Sequence, residues 1–169
     1  MGGKVAMQLA MTESDMLERL IVVDIGPDSY TDRHSHILEA LDKVTLEGVT
    51  GRKDVESQLL KSLTNHGIVS FLMKNLKRKQ GGFQWRMNLP GILNAYPRLM
   101  DGLSTNNSFD GETLFVRGAN SDYIRQEETR LIYELFPQAK IETIENAGHW
   151  VHADQPDKLL SITLDFLDK

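Results

Sequence analysis

Cysteine is absent from the 169 residues, which excludes a disulfide framework, a thiolate metal site and a cysteine nucleophile. No uninterrupted apolar run approaches the ~18–20 residues that span a bilayer, and no charged-then-apolar leader marks a secretory signal. Basic residues are outnumbered: 19 Lys and Arg stand against 24 Asp and Glu, for a net charge of −5 and a pI near 5.5. Nucleic acid is therefore not an expected partner, because it needs a basic face. The one basic cluster, Lys77-Arg78-Lys79, ends a helical pattern, where cations complement the helix dipole. A solvated helix end is expected there. Internal repeats and low-complexity tracts are missing too. A cytoplasmic location is the simplest reading, with an organellar targeting segment upstream of Met1 as the alternative.

What is present is the composition of a soluble globular protein, 40% hydrophobic and 25% charged, and a length sufficient for one domain with a core. After Gly2-Gly3, the residues Val5, Met7, Leu9, Ala10 and Met11 recur at roughly helical spacing. In "RLIVVDIGP" the apolar run Leu20 to Val23 ends at Asp24, with Gly26-Pro27 behind it. A short β-branched run bounded by turn residues fits a strand buried on both faces of a parallel sheet. Helical patterns then dominate to about residue 108: "HSHILEALDKV", "KDVESQLLKSL" and "GIVSFLMKNLKRK". They are followed by the glycine turn "QGG", the alternating "FQWRMN", a short helix in "LPGILNAYPRLMDGL" and the loop "STNNS". Alternation resumes with the strand "ETLFVRG", the helix "QEETRLIYELF" stopped by Pro137, the strand "KIETIE" and a closing helix "PDKLLSITLDFL".

Strands alternating with helices imply an α/β protein with a parallel sheet and right-handed crossovers. The expected division is a helix and strand over 1–30, a helical cap over 31–108, and core strands and helices over 109–169. Only three sheet strands are legible, and the first helix has no strand ahead of it to cross over from. An uncovered parallel edge is a liability. The chain thus reads as the C-terminal half of a domain, with the N-terminal half as its missing partner.

Chemistry in open α/β sheets sits at the C-terminal ends of strands. Asp24 closes the first strand, "RGANSD" follows the second and ends at Asp122, and "ENAGHW" follows the third and presents His149. An acid and a histidine on neighbouring strand ends are two parts of a nucleophile–base–orienter relay. Asp24 and Asp122 are both candidates for the acid at this point, and each could equally be a turn or cap aspartate. The missing part is the nucleophile. In one large class of hydrolases it lies on a strand-to-helix elbow, G-x-S-x-G, with chain order Ser, acid, His. Met1-Gly2 matches the tail of such an elbow, with the serine directly ahead of Met1. Gly2 and Gly3 would then let the helix start tightly under the turn, and the Met1 backbone N–H would serve an oxyanion hole. His152 invites a metal-pair reading with His149, but no third ligand stands at a fitting spacing, and no metal is expected.

The segments "MGGKVAMQLA", "LIVVDIGP", "FLMKNLKR", "GGFQWRMNLPGI", "TLFVRGANSDYI" and "NAGHWVHADQPDKLL" together resemble the α/β-hydrolase esterase family that includes animal abhydrolase domain-containing protein eleven and its bacterial relatives. The resemblance runs along essentially the whole chain and implies the C-terminal half of an α/β-hydrolase fold with an inserted helical cap. It implies a serine esterase acting on short or medium acyl esters through a Ser-His-Asp acyl-enzyme mechanism, with no metal or organic cofactor. In that family the acid ends the strand after the nucleophile's helix, which selects Asp24 over Asp122, beside His149 as the base. The family elbow reads G-H-S-M-G-G-K, so the serine, the first strands and a second oxyanion donor are absent from these 169 residues. The isolated chain is expected to be inactive.

Phe71, Leu72, Trp85 and Met87 are candidates for an acyl pocket, and packing between cap and core accounts for them equally well. Two other readings stand beside the esterase: a catalytically inactive chain that binds ligands or partners, and a thioesterase or C–C hydrolase on the same fold. The sequence does not set the oligomeric state.

Overall fold

In a computed structural model of the chain, the described residues are 1–104 and 107–168, with the Glu128 side chain outside that description. Thr105 and Asn106 of the "STNNS" stretch, expected as a loop, also lie outside it. The chain divides into two units, one formed by Met1–Ser29 with Asp101–Lys169 and the other by Tyr30–Met100.

The first unit is built on three parallel strands: β1 (Arg19–Val23), β4 (Glu112–Gly118) and β5 (Ala139–Ile144), in the order β1-β4-β5. The pleat sorts their side chains to two faces. Leu20 and Val22 share a face with Phe115, where Gly3 of helix α1 (Gly2–Thr12) lies against Val22 and Ile25. A Cβ on Gly3 would come within 2.1 Å of the Ile25 side chain, so only glycine lets the start of α1 lie this close to the end of β1. On the same face, Phe115 meets Phe136 edge-on at 5.4 Å, just beyond helix α6 (Thr129–Leu135). The opposite face carries Ile21, Leu114, Val116 and Ile144, covered by Leu159, Ile162 and Phe166 of α8 (Pro156–Leu167). Arg19 ties the end of that helix down. Its guanidinium donates to the Phe166 and Leu167 carbonyls and pairs with Glu112, its cross-strand neighbour, at 3.0 Å.

The second unit comprises α2 (Ser35–Asp42), α3 (Arg52–Leu60), α4 (His66–Met73), a hairpin of β2 (Leu76–Lys79) and β3 (Gly82–Trp85), and α5 (Leu89–Met100). Its core gathers Leu41, Val55, Leu59, Val69, Leu72, Leu76 and Phe83. The helix expected to run through "FLMKNLKRK" stops at Met73, and Lys77-Arg78-Lys79 form an antiparallel strand instead. Two forces override the helical pattern. Arg52 donates to the carbonyls of Met73 and Leu76, which takes up acceptors left at the helix end. The two-residue turn Gln80-Gly81, with Gly81 at φ +80°, then brings Phe83 and Trp85 opposite Arg78 and Leu76.

Asp32 anchors the start of α2. Its Oδ1 accepts from the Ser35 backbone at 3.0 Å and from the Tyr96 hydroxyl of α5 at 2.8 Å. The Ser35 hydroxyl, then the Ser35 amide and Tyr96, lower its pKa from 3.8 to about 2. A depressed carboxyl pKa contributes stability that is present above the unfolded value and lost as pH falls through the folded one. Asp32→Asn is therefore expected to lower the urea midpoint near neutral pH, with the difference from the parent closing between about pH 4 and about pH 2. A difference that stays constant across that window would show that the charge of Asp32 plays no part.

Candidate active site

The C-terminal ends of β1, β4 and β5 meet at one carboxylate. Asp24 follows β1 at φ +50°, a left-handed turn that aspartate tolerates better than most residues. Its backbone N–H still donates to the Val116 carbonyl at 2.7 Å, so the sheet pairing continues through it. Its side chain is fully buried, and a polar group sealed from water must find partners within the protein. Oδ1 accepts from the Gly118 amide at 3.0 Å. Oδ2 accepts from the Ser121 hydroxyl at 2.5 Å and lies 2.8 Å from His149 Nδ1.

His149 is delivered by the loop after β5. Asn146 at φ +59° turns the chain, and Ala147 accepts from the Asn120 amide at 2.9 Å, joining this loop to the one after β4. Asp154 in the short helix α7 (Val151–Asp154) accepts from the Gly148 amide at 2.8 Å. Tyr123 stacks on the imidazole, ring centroids 3.9 Å apart and planes 20° apart. With Nδ1 held by the acid and one ring face covered, Nε2 is the atom left for proton transfer. The imidazole side chain is 44% exposed while the acid is at 0%. The pair is therefore closed behind and open in front.

Gly118 is the residue that makes this convergence fit. A Cβ there would stand 2.4 Å from the Gly148 carbonyl oxygen and 2.5 Å from that of Ala147. No flexible side chain lies in the way that could yield, because both atoms are backbone.

The other candidates from the sequence fall elsewhere. Asp122 is exposed on the loop after β4, and the residue of that loop that reaches Asp24 is its neighbour Ser121. Met1 stands ahead of α1, its carbonyl accepting from Val5 at 3.2 Å. Leu72, Trp85 and Met87 pack with the core of the Tyr30–Met100 unit, and Phe71 is half exposed on α4. Among the described residues, no group of three His, Asp or Glu side chains is placed to hold a metal ion. Sequence reasoning missed Ser121 and Tyr123. The only available signal was that both sit within a few residues of a strand end; nothing in "GANSDYI" marks which side chain turns inward.

The chain is similar along its whole length to known proteins. It is 40% identical to mouse "sn-1-specific diacylglycerol lipase ABHD11", with 99% of this chain and 56% of that protein covered. It is 32% identical to "Esterase YbfF" of Escherichia coli strain K12, covering 99% of this chain and 65% of that one. A solved "Marine microorganism esterase" superposes with a TM-score of 0.92 at 35% identity, over 97% of this chain and 66% of that chain. The chain thus spans little more than half the length of the mouse protein. No family model matches.

Gly118→Ala is expected to push the 147–149 loop off the end of β4, costing about 1–3 kcal/mol in urea unfolding, the usual range for overpacking. The parent is expected to show a low-field proton NMR signal from the 2.8 Å Asp24–His149 contact, and the variant to lose it. Retention of that signal with unchanged stability would refute the tight-packing account.

Proposed function

The chain belongs to the α/β-hydrolase family of esterases and lipases, and from that premise we propose that it carries the acid and the base of a Ser-His-Asp relay for hydrolysing acyl esters. The observation that carries this reading is the 2.8 Å contact between His149 Nδ1 and the sealed Asp24 carboxylate. Asp24 fixes the imidazole tautomer and stabilises the imidazolium, leaving Nε2 to accept a hydroxyl proton. That proton passes to the leaving alcohol as the acyl group moves to the nucleophile, and water then releases the acid by the reverse proton path. Ser121 is not the nucleophile in this scheme, because its hydroxyl donates to the acid. It is a positioning residue: it holds Oδ2 from one side while His149 meets it from the other.

The nucleophile is a serine directly ahead of Met1, on a turn whose helix is α1. Gly3 supports this placement by letting α1 begin against Ile25, the residue that follows Asp24. Met1 would then offer its amide to the ester oxygen as negative charge develops on it.

The test uses the protein as its gene encodes it, assayed on p-nitrophenyl acyl esters and labelled with a fluorophosphonate. Asp24→Asn is expected to lower kcat by about 10⁴ and His149→Ala by about 10⁶, Ser121→Ala by about tenfold, roughly the value of one hydrogen bond to a charged group, and Asp122→Asn by less than that. A larger loss at Asp122 than at Asp24 would move the acid to the second strand end. Turnover without fluorophosphonate labelling would sink the serine mechanism.

A further inference from the structure

Charge is unevenly divided along the chain. The Tyr30–Met100 unit holds eleven Lys and Arg against six Asp and Glu, while the remainder holds eight against eighteen. The imbalance sharpens toward the hairpin: residues 57–100 contain seven basic side chains and no acidic one. All seven, Lys61, Lys74, Lys77, Arg78, Lys79, Arg86 and Arg98, belong to exposed residues. An overall charge of −5 conceals a strongly basic stretch.

The hairpin gives that stretch a shape. Register pairs Lys77 with Gln84 and Lys79 with Gly82, so one face of the two-stranded ribbon is basic and free of acids. Leu76 and Phe83 are buried on the other face, with Trp85 partly covered beside them. Arg78 lies over the Phe83 ring at 5.2 Å. The ribbon is held firmly at its base by Arg52, whose donors fix the Met73 and Leu76 carbonyls on either side of Lys74. Just before it, half-exposed Phe71 lies under the Lys74 ammonium at 5.9 Å. A basic ribbon face, with a half-exposed aromatic ring a few residues ahead of it in the chain, has the two elements of interfacial binding: attraction to anionic headgroups and an apolar group to enter the headgroup layer.

We propose that the β2–β3 hairpin, with Phe71 and Lys74, docks the protein peripherally on anionic lipid surfaces. Charge complementarity selects the partner. Among the described residues no helix is long and apolar enough to cross a membrane, and the hairpin meets the lipid at its headgroups. Nucleic acid fits less well, because single strands are held by aromatic rings presented on an open sheet, whereas Phe83 is buried and Trp85 packs into the unit's own core. The docking does not depend on the esterase reading, since none of the basic residues belongs to the relay.

The test is sedimentation of the native protein with vesicles of phosphatidylcholine alone or with about 30% phosphatidylserine, a strongly anionic composition. Binding is expected on the anionic vesicles only, weakening as salt rises and the charges are screened. The variant Lys77→Glu/Lys79→Glu should bind at least about tenfold more weakly, with Lys77→Gln/Lys79→Gln in between. Both variants should hydrolyse a soluble p-nitrophenyl ester at the parental rate, so a failure of the relay and a failure of docking give different results. Equal binding to neutral and anionic vesicles, binding unchanged by charge reversal, or tighter binding to single-stranded RNA than to anionic vesicles at the same salt would each overturn the proposal.

Discussion

The Asp24 carboxylate has no water to turn to, and the geometry at the end of the sheet follows from that constraint. A buried carboxylate lacking even one of its donors is costly, so Gly118, Ser121 and His149 must all arrive together. Gly118 and Ser121 come from the end of β4 and the loop after it, His149 from the loop after β5, and all are placed by the parallel register of β1, β4 and β5. A slip of one residue in either pairing would turn the ladder's side chains to the wrong face and carry the Gly118 amide away from Oδ1. The polar site and the apolar core are therefore specified by the same register. Gly118 adds a steric condition to the electrostatic one: the acid can be sealed only if the His149 loop passes close above a position with no side chain.

The strands were legible because short apolar runs ended at turn residues, and strand ends in a parallel sheet are few. That is why Asp24 and His149 could be singled out as candidates from spacing and chain order before any distance was known. Ser121 and Tyr123 were not legible, since a loop residue's direction is set by the contacts of its neighbours rather than by a period. The misreading of "KNLKRK" has a different cause. Leu72, Met73 and Leu76 keep helical spacing across the break, while the alternation that marks the hairpin becomes visible only in Phe83 and Trp85. Arg52, more than twenty positions earlier, supplies the donors that end the helix. No local window contains that information.

The two units rest on different kinds of contact. In the Tyr30–Met100 unit, contacts such as Thr45 with Gln58, Arg52 with Leu76 and Lys79 with Gly82 span short stretches, and even Asp32 to Tyr96 spans only 64 positions. The other unit is held by pairings that leap over long stretches, Arg19 to Phe166 among them.

That difference has a kinetic side. Arg19 of β1 pairs with Glu112 of β4, ninety-three positions later, and closing so long a loop is slow compared with forming local helices and hairpins. On the ribosome, at roughly 5–20 residues per second, β1 would wait on the order of 5–20 s for β4 to be synthesised. The inserted unit has all its own contacts in hand during that interval and can fold before β4 arrives. The acid that follows β1 therefore stays unsealed until the Gly118 amide, the Ser121 hydroxyl and, last, His149 have been synthesised.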